Sequence, residues 1–207
     1  MTPFLYLSHP QVKVDPAVPV PDWSLSETGR QRTEAFARRP GLSAFRRIVS
    51  SEEVKAKETA AILGAALGLA VEVRPAMHEN DRSATGFLPE PEFQAVANEF
   101  FAHPDASVRG WERARDAQAR IVSAIEGALA EAPGIPAIFV GHGGVGTLLL
   151  CHLAGYAISR SHDQPPVGGG CWFRHGPVPP ARWCAMEDEA WEQDAETPGT
   201  GEGGRHD

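Results

Sequence analysis

The N-terminal run from Phe4 to Leu7 constrains the fold more than any other stretch of this sequence. Four apolar residues in succession are typical of a strand that is covered on both faces, as in the parallel sheets of α/β proteins. The strand leads directly into Ser8, His9 and Pro10, and the proline prevents a helix from beginning there. Because functional residues of such sheets collect at the carboxyl ends of strands, His9 is a candidate site residue. A lone histidine after a strand is more often structural than catalytic, so a second observation is needed.

Strands and helices alternate along the rest of the chain. Further strands are predicted at residues 47–50, 69–73, 136–140 and 171–174, and helices at 27–39, 54–67, 91–103, 109–132 and between 146 and 153. This alternation predicts an α/β fold with three layers, a mostly parallel sheet with helices on both faces. We expect one domain over residues 1–186, followed by an acidic, disordered tail over residues 187–207.

The charge distribution separates a nearly neutral body from the acidic tail. The net charge is −8, but residues 187–207 alone carry eight acids and one arginine. The body has 19 acids and 18 lysines plus arginines, so it does not repel phosphate and has no basic stripe for nucleic acid. The sequence has no membrane-length apolar run, no signal-peptide pattern and no metal-ligand spacing among its three cysteines. We therefore expect a cytoplasmic protein with reduced thiols, with no membrane or nucleic-acid partner and of unknown oligomeric state.

A glycine-rich turn after the fourth predicted strand carries a second histidine, His142. The sequence GHGGVG, residues 141–146, fits the dinucleotide-binding pattern G-x-G-x-x-G, which is one interpretation. Against it, the turn lies late in the domain, and the acid expected about 20 residues further on would be Asp163, in a polar loop. The turn also suits anion binding by backbone N–H groups at a helix N-terminus, including that of Gly143. If the two strands are adjacent, His9 and His142 converge on one pocket.

Two charged segments lie near further strand ends. The run SSEEVKAKETA, residues 50–60, places Lys55 one turn into a helix, where it can direct a cation toward the same sheet edge. The polar loop after the third strand contains Glu79, a candidate general acid, and Arg82. Taken singly, each of these side chains fits an ordinary solvated surface equally well.

Together the segments resemble the histidine phosphatase superfamily, and within it the phosphoglycerate-mutase-like branch. They occur in the family's order: the first-strand histidine, LSETGR at 25–30, the run at 50–60, Glu79 and GHGGV at 141–145. Any one of these similarities is weak, but five in the correct order are fairly specific.

The chain departs from the family's pattern at three positions. Ser8-His9-Pro10 stands where the family has Arg-His-Gly, and Lys55 stands where it has a second arginine. An unaltered Arg-His-Gly occurs at residues 174–176, but we interpret it as coincidental because no further family motif follows it.

The resemblance implies a metal-independent phosphomonoesterase or phosphotransferase that uses no cofactor and acts on a small phosphorylated substrate. His9 would form a phosphohistidine, Glu79 would protonate the leaving alcohol, and His142 would stabilise the phosphoryl oxygens. The predicted substrate contacts are Ser8, Gln11, Lys55, Arg82 and Gly143. Because lysine lacks the bidentate fork of the missing arginines, the alternative is a degenerate member that binds a phosphorylated ligand or partner without turnover.

Overall fold

A six-stranded sheet organises residues 2–188, the part of the chain that the computed structural model describes. The strands are β1 (Phe4–Ser8), β2 (Arg47–Ser51), β3 (Val71–Arg74), β4 (Ala137–Gly141), β5 (Cys171–His175) and β6 (Cys184–Ala185). Their order across the sheet is β3-β2-β4-β1-β5-β6. The first four strands pair in parallel, whereas β5 and β6 are antiparallel additions at one edge.

Helices cover both faces of this sheet, which confirms the predicted three-layer α/β fold. They are α1 (Glu27–Ala37), α2 (Val54–Leu67), α3 (Glu90–Ala102), α4 (Ala114–Glu131) and α5 (Gly143–Ala154). The β1 side chains explain the unbroken apolar run, because Phe4 and Tyr6 pack in the core with α3, α4 and α5. Leu5 and Leu7 point the other way, into the core with α1 and α2.

Local chemistry accounts for most helix boundaries. Ser26 caps α1, since its hydroxyl accepts the Gly29 N–H at 3.1 Å. Helix α2 ends at Gly68, which adopts the left-handed conformation that glycine tolerates (φ 69°). The predicted helix at 109–132 is wrong in its first turn, because Arg109 has a positive φ of 52° inside a separate 3₁₀ turn. Helix α4 therefore begins only at Ala114.

The C-terminal Arg-His-Gly sequence lies far from the other motifs. His175 belongs to β5 and stands opposite Phe4, at the start of β1, whereas His9 follows the other end of β1. Arg174 and His175 lie within β5, and the short strand β6 comes later in the chain. The interpretation of this sequence as coincidental agrees with its position at the opposite end of the sheet.

Contacts of the body continue slightly past the predicted boundary at residue 186. Arg32 of α1 forms two hydrogen bonds to the Glu187 carboxylate, at 2.7 and 2.9 Å. Arg39 donates to the Asp188 carbonyl oxygen at 2.8 Å. The rest of the predicted tail, residues 189–207, lies outside the described residues. Within residues 2–188, no helix combines the length and apolar character needed to cross a membrane.

Candidate active site

The parallel pairing brings the ends of three strands to one edge of the sheet. Ser8 at the end of β1 stands opposite Gly141 at the end of β4, and β2 ends beside them at Ser51. His9 and His142 follow the adjacent strands β1 and β4 at the same level. Their ring centroids are 5.3 Å apart, which confirms that the two histidines converge.

The His9 ring is held in one tautomer by its own backbone. Its Nδ1 lies 2.8 Å from the carbonyl oxygen of Pro10, and a carbonyl can only accept, so Nδ1 carries the hydrogen. The lone pair is then on Nε2. Burial, followed by the charges of His142 and Lys55, lowers the pKa of His9 to about 3. The ring is therefore neutral near pH 7, with one nitrogen available as a nucleophile.

The His142 ring is completely buried, and its Nε2 faces polar partners on the β2 side. Nε2 lies 2.8 Å from the Ser51 hydroxyl and 3.4 Å from the Glu53 carboxylate. Burial is the largest effect on this ring and lowers the pKa of His142 to about 4, although the carboxylates of Glu53 and Glu79 oppose it. Its Nδ1 has no hydrogen-bond partner among residues 2–188. A buried imidazole with one unsatisfied nitrogen is expected where a ligand completes the hydrogen bonding.

Tyr6 fixes the backbone that carries His142. Its hydroxyl accepts the His142 N–H at 3.1 Å and donates to the His142 carbonyl oxygen at 3.2 Å. This approach requires a glycine before the histidine, since a Cβ on Gly141 would lie 2.3 Å from the tyrosine oxygen. Packing against Tyr6 therefore explains the glycine at position 141, without any role in dinucleotide binding.

Glu79 occupies the N-terminus of α5. One carboxylate oxygen accepts the Gly144 N–H at 3.0 Å, and the other accepts the N–H groups of Val145 and Asn80, both at 2.9 Å. Burial alone would raise the pKa of Glu79, but the positive charge of Arg82 and these hydrogen bonds outweigh it and lower the pKa. The resting side chain is thus an ionised carboxylate beside both histidines. Its predicted role as a proton donor requires a proton that this state does not carry.

Lys55 is close to the site but already has partners. Its side chain is 4% exposed, and Nζ forms an ion pair with the Glu53 carboxylate and a 2.8 Å hydrogen bond to the Val20 carbonyl. Burial raises the pKa of Glu53, but His142 and Lys55 reverse this effect and lower it to about 2. Sequence reasoning treated Glu53 only as part of a helix start and missed it. A glutamate at an N-cap position, where short polar residues are preferred, was the available signal.

Two predicted substrate contacts are engaged in the framework around the site. The fully buried Ser8 hydroxyl donates to Gln164 Oε1 at 2.8 Å and accepts the Cys171 N–H at 3.0 Å. Gln11 donates to the Val167 carbonyl at 3.1 Å and accepts from Arg32 at 2.8 Å. Both side chains hold the loop before β5 against the end of β1.

Gly143 lies where the site opens to a cavity of about 470 Å³. A Cβ at Gly143 would lie 2.4 Å from the Gln164 amide nitrogen, so this residue permits the loop to approach α5 closely. The cavity lining includes His9, Glu79, Asn80, Arg82, Gly143, Gly144 and Arg160, and the aromatic side chains Phe93, Phe100, Phe101 and Trp111. The site therefore offers a polar base and an aromatic wall.

Arg82 is the cation that faces this cavity from the Glu79 loop. Its guanidinium carbon is 5.1 Å from the Phe93 ring centroid and 5.6 Å from that of Trp111. Within residues 2–188 it forms no salt bridge, so its charge is available to a ligand. Arg160, which sequence reasoning missed, also lines the cavity and is held by Asn98 at 2.6 Å and the Gln94 carbonyl at 2.9 Å. It lies in an irregular polar segment that has no motif to mark it.

The described residues contain no group of three or more histidine, cysteine, aspartate or glutamate side chains placed to hold a metal ion. Of the two carboxylates nearest the histidines, Glu53 pairs with the Lys55 ammonium and Glu79 accepts hydrogen bonds from backbone N–H groups.

Comparison with solved structures shows the same fold in several proteins. YhfR of Bacillus stearothermophilus aligns with a TM-score of 0.73 and 20% identity, over 89% of this chain and 95% of that one. A mycobacterial glucosyl-3-phosphoglycerate phosphatase gives 0.68 and 24%, over 89% and 96%. Phosphoserine phosphatase of Entamoeba histolytica, solved with 3-phosphoglyceric acid, gives 0.70 and 15%, over 90% and 98%. At these identities the likeness concerns the fold. A search of curated protein sequences gave no significant match.

A family profile gives the decisive comparison. The profile of the histidine phosphatase superfamily (branch 1) matches residues 15–169, which is more than half of the 207-residue chain. The match includes the run at 50–60, Glu79 and the His142 turn. It begins after His9, and the position of His9 beside His142 is seen in the structure. This chain belongs to the histidine phosphatase superfamily.

Proposed function

We propose that this protein is a phosphomonoesterase that acts on a small phosphorylated substrate through a phosphohistidine on His9. The observation that carries the proposal is the neutral His9 ring, hydrogen-bonded through Nδ1 to Pro10, at the cavity and 5.3 Å from His142. Its free Nε2 lone pair is the nucleophile that the reaction needs.

The proposed reaction has two displacements at phosphorus. Nε2 of His9 forms a bond to phosphorus while the bond to the leaving alcohol oxygen breaks and that oxygen takes up a proton. Water then attacks the phosphohistidine, releases phosphate and restores the neutral ring. No metal or cofactor enters either step, so the activity is proposed to be metal-independent.

Glu79 is the proposed source of the leaving-group proton. An approaching phosphate adds negative charge next to its carboxylate, which raises the pKa of Glu79 and favours its protonation. A protonated Glu79 accepts more weakly from the N–H groups of Gly144 and Val145, which now donate to its carboxylate at 3.0 and 2.9 Å. These donors, with Arg82, then become available to the phosphoryl oxygens.

The leaving group is proposed to lie against the aromatic wall. Phe93 and Trp111 stand beside the Arg82 guanidinium at the same cavity, so an organic group can pack there while its phosphate meets the cation. Phosphoryl transfer depends mainly on positioning and on charge around the oxygens, and this arrangement provides both.

The second candidate is a degenerate member that binds a phosphorylated ligand without turnover. The ion pair between Lys55 and Glu53 favours it, because the cation at the position of the family's second arginine is neutralised inside the protein. Loss of one preorganised donor to a transition-state anion costs roughly 2.7–4 kcal/mol, about 10²–10³ in rate.

A panel of phosphomonoesters assayed in the presence of a chelator separates the two candidates. Turnover that disappears in His9→Ala but persists in His152→Ala, an exposed histidine at the end of α5, supports the enzyme. The phosphorylated protein trapped by rapid alkaline quenching should carry its phosphate on His9 by peptide mass spectrometry. Phosphate binding that depends on His9 without any turnover would favour the binding protein.

A further inference from the structure

A buried carboxylate, Glu53, lies among the groups proposed to receive the phosphoryl oxygens. The residue is 7% exposed. One of its oxygens accepts the Glu79 N–H at 2.8 Å and lies 3.4 Å from His142 Nε2, while the other pairs with Lys55. A single internal anion is therefore paired with Lys55 and lies beside Nε2 of His142, whose Nδ1 stays free within the described part of the chain.

Neither helix capping nor pairing stability explains this carboxylate. Glu53 is the N-cap residue of α2, yet its side chain makes no capping hydrogen bond. Its ion pair with Lys55 is almost completely buried, and buried pairs are often no more stable than apolar side chains of similar volume. The contacts with His142 and with the Glu79 backbone point instead to an effect on the ligand.

We propose that Glu53 is a specificity-determining residue that pairs with Lys55 beside His142 and so opposes the negative charge of a ligand. This inference rests on the proposed phosphate site and deepens it. A fixed negative charge repels a phosphate dianion about twice as strongly as a monoanion, because the Coulomb energy scales with ligand charge. Glu53 therefore weakens the binding of free phosphate and promotes its release as product.

The same argument indicates the class of substrate. A site whose cations are partly neutralised gains less affinity from the phosphate and must gain more from the rest of the ligand. The aromatic wall with Phe93, Phe100 and Trp111 supplies that contact at the same cavity. The substrate class is thus a phosphomonoester with an apolar or aromatic leaving group, in preference to small polyanionic phosphates.

Calorimetric titration with inorganic phosphate tests the proposal directly. Glu53→Gln is expected to bind phosphate at least tenfold more tightly than wild type, because Lys55 and His142 are then free of the carboxylate. Glu52→Gln is the matched control, since Glu52 is the exposed neighbour and its charge faces solvent. Unchanged or weaker phosphate binding in a folded Glu53→Gln protein would overturn the proposal.

Glu53→Gln leaves a buried cation without its carboxylate, which is strongly destabilising. A second comparison covers the case in which this variant does not fold. Lys55→Met is compared with the double variant Glu53→Gln/Lys55→Met, whose pair is replaced by uncharged side chains of similar shape. The double variant is expected to bind phosphate at least tenfold more tightly than Lys55→Met, and equal affinities refute the proposal. Absence of turnover in wild type contradicts only the proposed function, since the affinities are measured independently of catalysis.

Discussion

Acidification is expected to destabilise this protein through the buried His142 ring. Burial lowers the pKa of His142 from 6.5 in the unfolded chain to about 4 in the folded protein. The unfolded chain therefore takes up the proton first. The stability due to the neutral ring is complete above about pH 6.5 and is lost as the pH falls toward the folded pKa. At about pH 5 the linkage relation gives a loss of about 2 kcal/mol, and this value changes little while the folded pKa stays below that pH.

Urea unfolding of wild type and His142→Gln at about pH 7.5 and pH 5 measures this loss. Glutamine retains an N–H group for Glu53 but does not titrate, so wild type should lose about 2 kcal/mol more than the variant. That difference corresponds to about 4–8 °C in melting temperature for a domain of this size. His9 remains in both proteins and its contribution largely cancels. His152→Gln, at an exposed position, should behave as wild type. An equal pH dependence in wild type and His142→Gln would refute the conclusion that the folded ring is buried and neutral.

The layout of the sheet and the convergence of the histidines were predictable because both depend on local patterns. Successive residues of the apolar run in β1 point to opposite faces of the sheet. Four apolar residues in a row therefore indicate a strand that is buried on both faces. Each histidine directly follows such a strand, and parallel pairing then places both at one edge. The bounds of α2, residues 54–67, were also predicted correctly, since Gly68 marks its end.

The contacts of Glu53 were not predictable, since they reach across the sequence. This residue meets Glu79 and His142, which follow β3 and β4, and only the assembled sheet brings these together. Lys55 lies only two residues away in sequence, but the pairing of its ammonium with the Glu53 carboxylate is visible only in the structure. The sequence therefore indicated a cation at this edge and gave no sign that it is paired.

The surroundings of Arg82 show the same limit in the irregular part of the chain. The helix predicted at 91–103 includes Phe93, but the sequence does not show that its ring faces a guanidinium. Trp111 was placed in the first turn of the helix predicted at 109–132, whereas it precedes α4, after the turn in which Arg109 has a positive φ. Positive φ at a non-glycine residue has no reliable sequence pattern, so this part of the cavity wall was visible only in the structure.

Three substitutions test the remaining assignments by kinetics. Glu79→Gln should lose most of its activity on alkyl phosphates but much less on an aryl phosphate with a good leaving group, and equal losses would contradict the proton-donor role. Arg82→Ala should lower kcat/KM at least tenfold, about 1.4 kcal/mol, while Arg109→Ala, an exposed arginine paired with a carboxylate, should not. Gly144→Ala is the most specific test, because its Cβ would lie 2.7 Å from the Glu79 carboxylate. The methyl group must displace that side chain from its backbone partners, so kcat/KM should fall at least tenfold, about 1.4 kcal/mol, in a folded protein. Gly127→Ala, in the interior of α4 with open space around it, should retain full activity. Full activity in Gly144→Ala would mean that catalysis does not require Glu79 at the α5 N-terminus.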